Sequence, residues 1–166
     1  MSTIFILRDA DFSVNKIFTE EIPLQDAWFI DDFVSDYNIL SKANVVNGGW
    51  AFSEVDNAKL IGRSINAIMF VAASAGTLNL YKKDSTGKTL IGSVTILSSE
   101  LNTTVLKTFE TTKLAEGETL ILGEANTAGS FYYYNNGTGP GFYGNDGTRF
   151  NSTMSLNVKV GYQKNV

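Results

Sequence analysis

The sequence predicts an all-β fold, an antiparallel β-sandwich, and three observations lead there. Apolar and polar residues alternate with period 2 along segment after segment, turn signals recur at short intervals, and 15 Gly stand against 2 Pro with 12% aromatic residues. That balance favours strands and turns over helices.

The C-terminal run is the clearest strand. Met154, Leu156, Val158, Val160 and Tyr162 alternate with Ser155, Asn157, Lys159 and Gly161, which places all five apolar side chains on one face of a strand but scatters them around a helix. The run Ile65 to Ala73 is apolar on both faces and reads as a central strand. Ala75-Gly76 turns the chain, Leu78 and Leu80 open a return strand, and Asp84-Ser85-Thr86-Gly87 has the composition of a hairpin turn. Further strands are expected at Thr89–Leu97, Thr103–Glu110, Glu118–Gly123 and Ser130–Asn135, with Ala115-Glu116-Gly117 as one of the turns between them. Many short strands at such spacing indicate a sandwich or barrel.

The chain of 166 residues is long enough for one domain with its own core. Within it, residues 60–166 read as the sandwich proper, while residues 1–59 form a less regular, aromatic-rich part of the same domain. There, Ile4–Arg8 has strand character, Ala27–Ile30 and Phe33–Leu40 look extended, and Ser53–Leu60 could form one short helix. Trp28, Phe29, Trp50 and Phe52 are expected to cap the sandwich, since such rings bury large areas. No fixed repeat is visible, which argues against a solenoid.

Composition removes several functions. A net charge of −4 without a basic stripe argues against nucleic acid. The chain has no Cys and no His, so thiolate metal sites, Ser-His-Asp and Cys-His catalysis, and the commonest general base are all missing. No stretch approaches membrane-span length, and the short apolar run after Met1 lacks the features of a secretory signal, so synthesis in a cytoplasm without signal cleavage is expected.

Carboxylate chemistry remains. Asp9 with Asp11, Asp31 with Asp32, and Glu54 with Asp56 are the acidic pairs, but a glycosidase needs two carboxylates facing one another across a sugar, and turn or capping roles suit these pairs better. Asp9-Ala10-Asp11 lacks the rest of a calcium loop. Ser13 with Lys16 and Ser85 with Lys88 share the spacing of Ser–Lys enzymes without the helical context. Gly139 to Gly144 matches G-x-G-x-x-G, yet lies in a loop rather than between a strand and a helix. The three sequons, at Asn102, Asn136 and Asn151, carry no meaning without export. No catalytic residue, metal site or cofactor is expected.

One segment has the chemistry of recognition. Tyr132, Tyr134, Asn136, Phe142, Tyr143, Asn145, Asp146 and Arg149 set rings beside amides and charges around an expected loop from Asn135 to Arg149. Rings can pack on sugar C–H faces while amides and carboxylates bind hydroxyls. Alternatively, the tyrosines fill the core and the loop packs against a neighbouring subunit.

Three stretches carry a resemblance. Ala10-Asp11-Phe12-Ser13-Val14-Asn15-Lys16-Ile17 is similar to an A-D-F-S-x-N opening in structural proteins of phages and prophages of gut Bacteroidales. Arg63 to Ile68 followed by Ala73 to Leu78 resembles the hairpin of their jelly-roll fibre domains, and Leu114-Ala115-Glu116-Gly117-Glu118-Thr119-Leu120 resembles a turn into a late strand of the same modules. The resemblance implies a jelly-roll sandwich and a non-catalytic virion protein, a head-fibre, capsid-decoration or tail-fibre subunit. Its implied partners are itself, as a dimer or trimer, other virion proteins and host surface polysaccharide, with no nucleic acid and no membrane. The alternative is a carbohydrate-binding module or lectin-like domain working through the Tyr132–Arg149 segment.

Overall fold

Strands dominate because the period-2 segments each have one apolar face to bury, and two sheets bury those faces against one another. The computed structural model describes residues 3–8, 14–20, 27–29, 33, 35–36, 41–42, 49–52, 54–123, 132–134, 142–143, 149–151 and 155–163; side chains are described for residues 28, 33, 35–36, 49–52, 54–123, 132 and 156–163. The strands are β1 (Thr3–Arg8), β2 (Val14–Glu20), β3 (Ala27–Phe29), β4 (Ser41–Lys42), β5 (Trp50–Ala51), β6 (Ser64–Val71), β7 (Gly76–Lys83) and β8 (Lys88–Ile96). They continue as β9 (Thr104–Lys113), β10 (Thr119–Leu122), β11 (Tyr132–Tyr134), β12 (Phe142–Tyr143), β13 (Arg149–Asn151), β14 (Ser155–Leu156) and β15 (Val158–Gln163). One short helix, α1 (Glu54–Ala58), and a 3-10 turn at Ser98–Glu100 complete the described elements.

Four antiparallel pairings nest inside one another: β7 with β8, β6 with β9, β5 with β10, and β3 with β15. The chain is thus a long double-stranded ribbon rolled so that successive pairs fall alternately into two sheets. One sheet has the order β3-β15-β6-β9; the other contains β5-β10-β7-β8 and is extended by β12 and β13 to six strands. This is the jelly-roll order, with two interlocked Greek keys.

The core lies between the sheets. Ile65, Ile68, Phe70, Val105, Val158 and Val160 from the four-stranded sheet meet Trp50, Leu78, Leu80, Val94, Ile96, Leu120 and Leu122 from the other, joined by Phe52 just after β5. Trp50 and Phe52 are therefore core residues. β6 is buried on both faces, as its mostly apolar run requires, with Asn66 the one polar side chain enclosed in it. The Asp84 turn joins β7 to β8, with Thr86 and Gly87 N–H groups both donating to Asp84 Oδ1.

Some boundaries differ from the sequence reading. The expected strand Met154–Tyr162 is two strands that belong to different sheets. β14 pairs with β11 in a small sheet of order β14-β11-β4, β15 joins β6, and the buried Asn157 stands at the break. β2 was not legible as a strand; it pairs with β1 in a separate two-stranded sheet. The described residues of the Phe33–Leu40 stretch, 33 and 35–36, form no strand. Finally, the division at residues 59 and 60 does not follow the sheets, because β3, β4 and β5 pair with β15, β11 and β10.

Candidate functional site

The recognition segment divides between two sheets. Tyr132 and Tyr134 lie on β11, where Tyr132 pairs with Lys42 and Tyr134 with Ser155. Phe142 and Tyr143 lie on β12, paired with Asn151 and Arg149 of β13. Tyr143 also pairs with Ala51, which fastens β12 to β5 and so to the six-stranded sheet. The stretch 135–149 is consequently not one open loop: part of it is ladder at the rim of a sheet. Asn136, Asn145 and Asp146 lie outside the described residues.

The expectation that Tyr132 offers its ring to a ligand is not met. Tyr132 is only 6% exposed and packs with Val71, Ala73 and the half-buried Phe33. Its hydroxyl donates to Asn102 Oδ1 at 2.7 Å. Asn102 itself has φ of 60°, a left-handed conformation that Asn tolerates better than most residues. The ring thus ties β11 to the corner between β8 and β9. For this residue, the core-filling alternative is the one the geometry fits.

Beside β5 is a pocket of about 250 Å³, lined by Ala51, Phe52, Glu54, Asn57, Ala58, Ile61, Gly117, Glu118 and Thr119. Its wall is built by Asn57, which α1 aims at the start of β10. Asn57 Nδ2 donates to the Glu118 carbonyl at 2.8 Å, and Asn57 Oδ1 accepts from Leu120 N–H at 3.0 Å. One buried amide therefore replaces a missing strand neighbour. Sequence reading missed this residue, because no local pattern marks partners more than sixty positions away.

The carboxylates in and near this region are held in structural bonds. Glu118 meets Lys82 Nζ at 2.7 Å and accepts Ala115 N–H at 2.7 Å. The hydrogen bond from Lys82, then that from Ala115, holds its carboxyl below the usual carboxylate range. Glu100 is lowered by the Leu97 N–H and by Lys107, and Asp84 by the Thr86 hydroxyl and the Thr86 and Gly87 N–H groups. Such groups stay ionised and accept hydrogen bonds, whereas a general acid at neutral pH needs the opposite shift. Of the acidic pairs in the sequence, Asp56 is bonded to Lys59 at 2.9 Å within one helical turn. Asp9, Asp11, Asp31 and Asp32 lie outside the described residues. Among the described residues no group of three or more acidic side chains is placed to hold a metal ion, and no helix is long and apolar enough to cross a membrane.

The outward face of the six-stranded sheet carries a polar ladder that the sequence reading did not single out. Ser93 Oγ donates to Asn79 Oδ1 at 2.6 Å, Asn79 Nδ2 to the Tyr81 hydroxyl at 3.3 Å, and Lys88 Nζ sits 4.2 Å from the Tyr81 ring centroid. Asn79 pairs with Ser93 across β7 and β8. The period-2 signal carries this face too, in the polar residues that alternate with Leu78 and Leu80 along β7.

Searches of protein-family models, curated proteins and solved structures returned no match for the chain.

Proposed function

We infer that the chain is a non-catalytic structural protein of a phage virion, a head-fibre, decoration or tail-fibre subunit that acts by assembly and surface contact. The observation that carries this reading is the seating of β12 and β13 on the edge of a jelly-roll sheet through the Tyr143–Ala51 pair. A sheet whose last two strands carry Phe142, Tyr143 and Arg149 gives these residues the backbone ladder of a scaffold rather than a free loop, which suits a binding platform. Down-shifted, bonded carboxylates and a chain without His or Cys support a role without chemistry. The resemblance of the A-D-F-S-x-N stretch and the two later motifs to phage structural proteins supplies the virion context.

The second reading is a lectin-like domain, with glycan bound near β12. The pocket beside β5 favours it, since Ala51 both lines that pocket and pairs with Tyr143.

The test replaces Phe142 and Tyr143 together with Ala. Thermal stability, co-sedimentation with purified virions, and binding to host cells and to capsular polysaccharide are then measured. Loss of virion or cell binding at unchanged stability supports the structural reading. Loss confined to free polysaccharide favours the lectin. Unchanged binding everywhere removes β12 from the site.

A further inference from the structure

The edge opposite β12 and β13 in the same sheet is β8, five strand spacings or roughly 24 Å away. Among the described strands β8 bonds only to β7, and the neighbouring β9 only to β6, so both sheets end in long edge strands on one side of the sandwich. Native edges are usually blunted by charges or Pro. From Thr89 to Ser99 this chain has neither. Its one irregularity is a bulge: Leu80 pairs with Gly92 but Tyr81 with Leu90, leaving Ile91 as the extra residue. Gly92 to Ile96 remain regular, and Leu90 and Leu97 flank them at 53% and 55% exposure.

We propose that β8 is a self-association edge, on which a second copy of this chain adds its own β8 antiparallel across a two-fold axis near Val94. This deepens the assembly reading above and rests on it. An unpaired strand edge selects an extended backbone, not a sugar or a lipid, because its free groups are peptide N–H and C=O. Charge selects the copy and the direction. Parallel pairing would stack Lys88 on Lys88. Antiparallel pairing about Val94 brings Lys88 of each copy to the Glu100 end of the other, twice by symmetry. Glu100 already accepts from Lys107 at 2.6 Å and from Leu97 N–H at 2.7 Å, and a carboxylate's two oxygens have about four acceptor sites in all. The neutral stretch between Lys88 and Glu100 lets two chains of net charge −4 meet without like charges opposed along the strand. In this register Ser93 of one copy stands opposite Thr95 of the other, and both are exposed.

The register dictates the experiment. In S93K/T95K, lysines oppose each other at two points of the interface; in S93K/T95E, each lysine opposes a glutamate. Sedimentation equilibrium over a wide concentration range is expected to show a wild-type dimer, association weakened at least about tenfold in S93K/T95K, and recovery in S93K/T95E, with thermal stability of the isolated subunit retained. Leu106→Lys on β9 serves as a control expected to leave the dimer intact. A dimer indifferent to S93K/T95K, or lost in L106K instead, overturns the β8 edge and leaves assembly standing. A wild-type monomer that still co-sediments with virions does the same. A wild-type monomer that binds no virion protein overturns this inference and the assembly reading together.

Discussion

Asn57 and Asn66 are both buried amides on opposite sides of the same accounting. Asn57 satisfies a backbone donor and a backbone acceptor at the start of β10. Asn57→Ala leaves both groups without their partner and is expected to cost about 2–4 kcal/mol, read by denaturant unfolding. Asn66 stands at the point where β15 pairs with Ala67 and then Ile65, skipping it, and its Oδ1 has no partner among the described residues. The desolvation of that oxygen is already a loss, so Asn66→Ala is expected to cost clearly less than Asn57→Ala in the same assay. An equal cost for the two would mean that Asn66 has a structural role its oxygen does not reveal. Glu118 gives the residue-scale pH dependence. Folding depresses its carboxyl, so the stability it contributes is complete above the unfolded value of about 4.3 and is lost as pH falls through the lower folded value. Glu118→Gln is expected to lower the melting temperature at neutral pH and to shrink the gap between variant and wild type below about pH 4. A gap constant from pH 7 to pH 3 would dissociate the Lys82 pair from acid sensitivity.

Gly92 on β8 shows how two elements close the side of the sandwich. A Cβ built on Gly92 would lie 2.9 Å from Phe109 Cβ on β9, with two ring atoms only slightly farther. The contact is with the base of the ring, so the side chain cannot swing away from it. Gly92→Val is expected to cost about 1–3 kcal/mol by overpacking, and Phe109→Gly, which removes that Cβ together with the ring, should relieve much of it in the double variant, a non-additivity that a double-mutant cycle measures. Additive effects would show that Phe109 is not the obstacle. The same elements show what the sequence could and could not reveal. Alternation located β7, β8, β9 and β15 to within a few residues, because each has one face against the core. It could not see the break at Asn157, since a change of partner sheet leaves the side-chain period intact. It could not see that Tyr132 is buried while β12 lies at a rim, since Tyr132-Tyr133-Tyr134 and Phe142-Tyr143 have the same composition and only pairing separates them. Asn57 and Glu118 were invisible for a different reason: their partnership joins a short helix to a distant strand.

Rolling one long ribbon into two sheets makes the whole molecule depend on contacts between the far ends of the chain. Phe29 pairs with Val160, and such distant pairings give an all-β topology its slow folding, on the order of milliseconds to seconds. The outermost turn of the roll should therefore be indispensable. β15 bonds β3 on one side and β6 on the other, and buries Val158 and Val160 completely. Removing residues 158–166 takes away these side chains, each a cavity of several kcal/mol, and exposes both neighbouring strands. The sum is comparable with the whole stability of a typical domain, about 5–15 kcal/mol, so the truncated chain is expected not to fold. The β1–β2 hairpin occupies the opposite position. It pairs with itself and, among the described residues, with no strand of either large sheet. Removing residues 1–20 should then change stability by less than about 1 kcal/mol, or roughly 2–4 °C in melting temperature for a chain of this size. Far-UV circular dichroism and thermal melts of the two truncated chains decide the matter. If the chain without residues 1–20 unfolds, the hairpin packs on the sandwich and belongs to its core; if it melts like the full protein, the segment bearing the A-D-F-S-x-N motif is a separate module, free to serve attachment while the jelly roll stands without it.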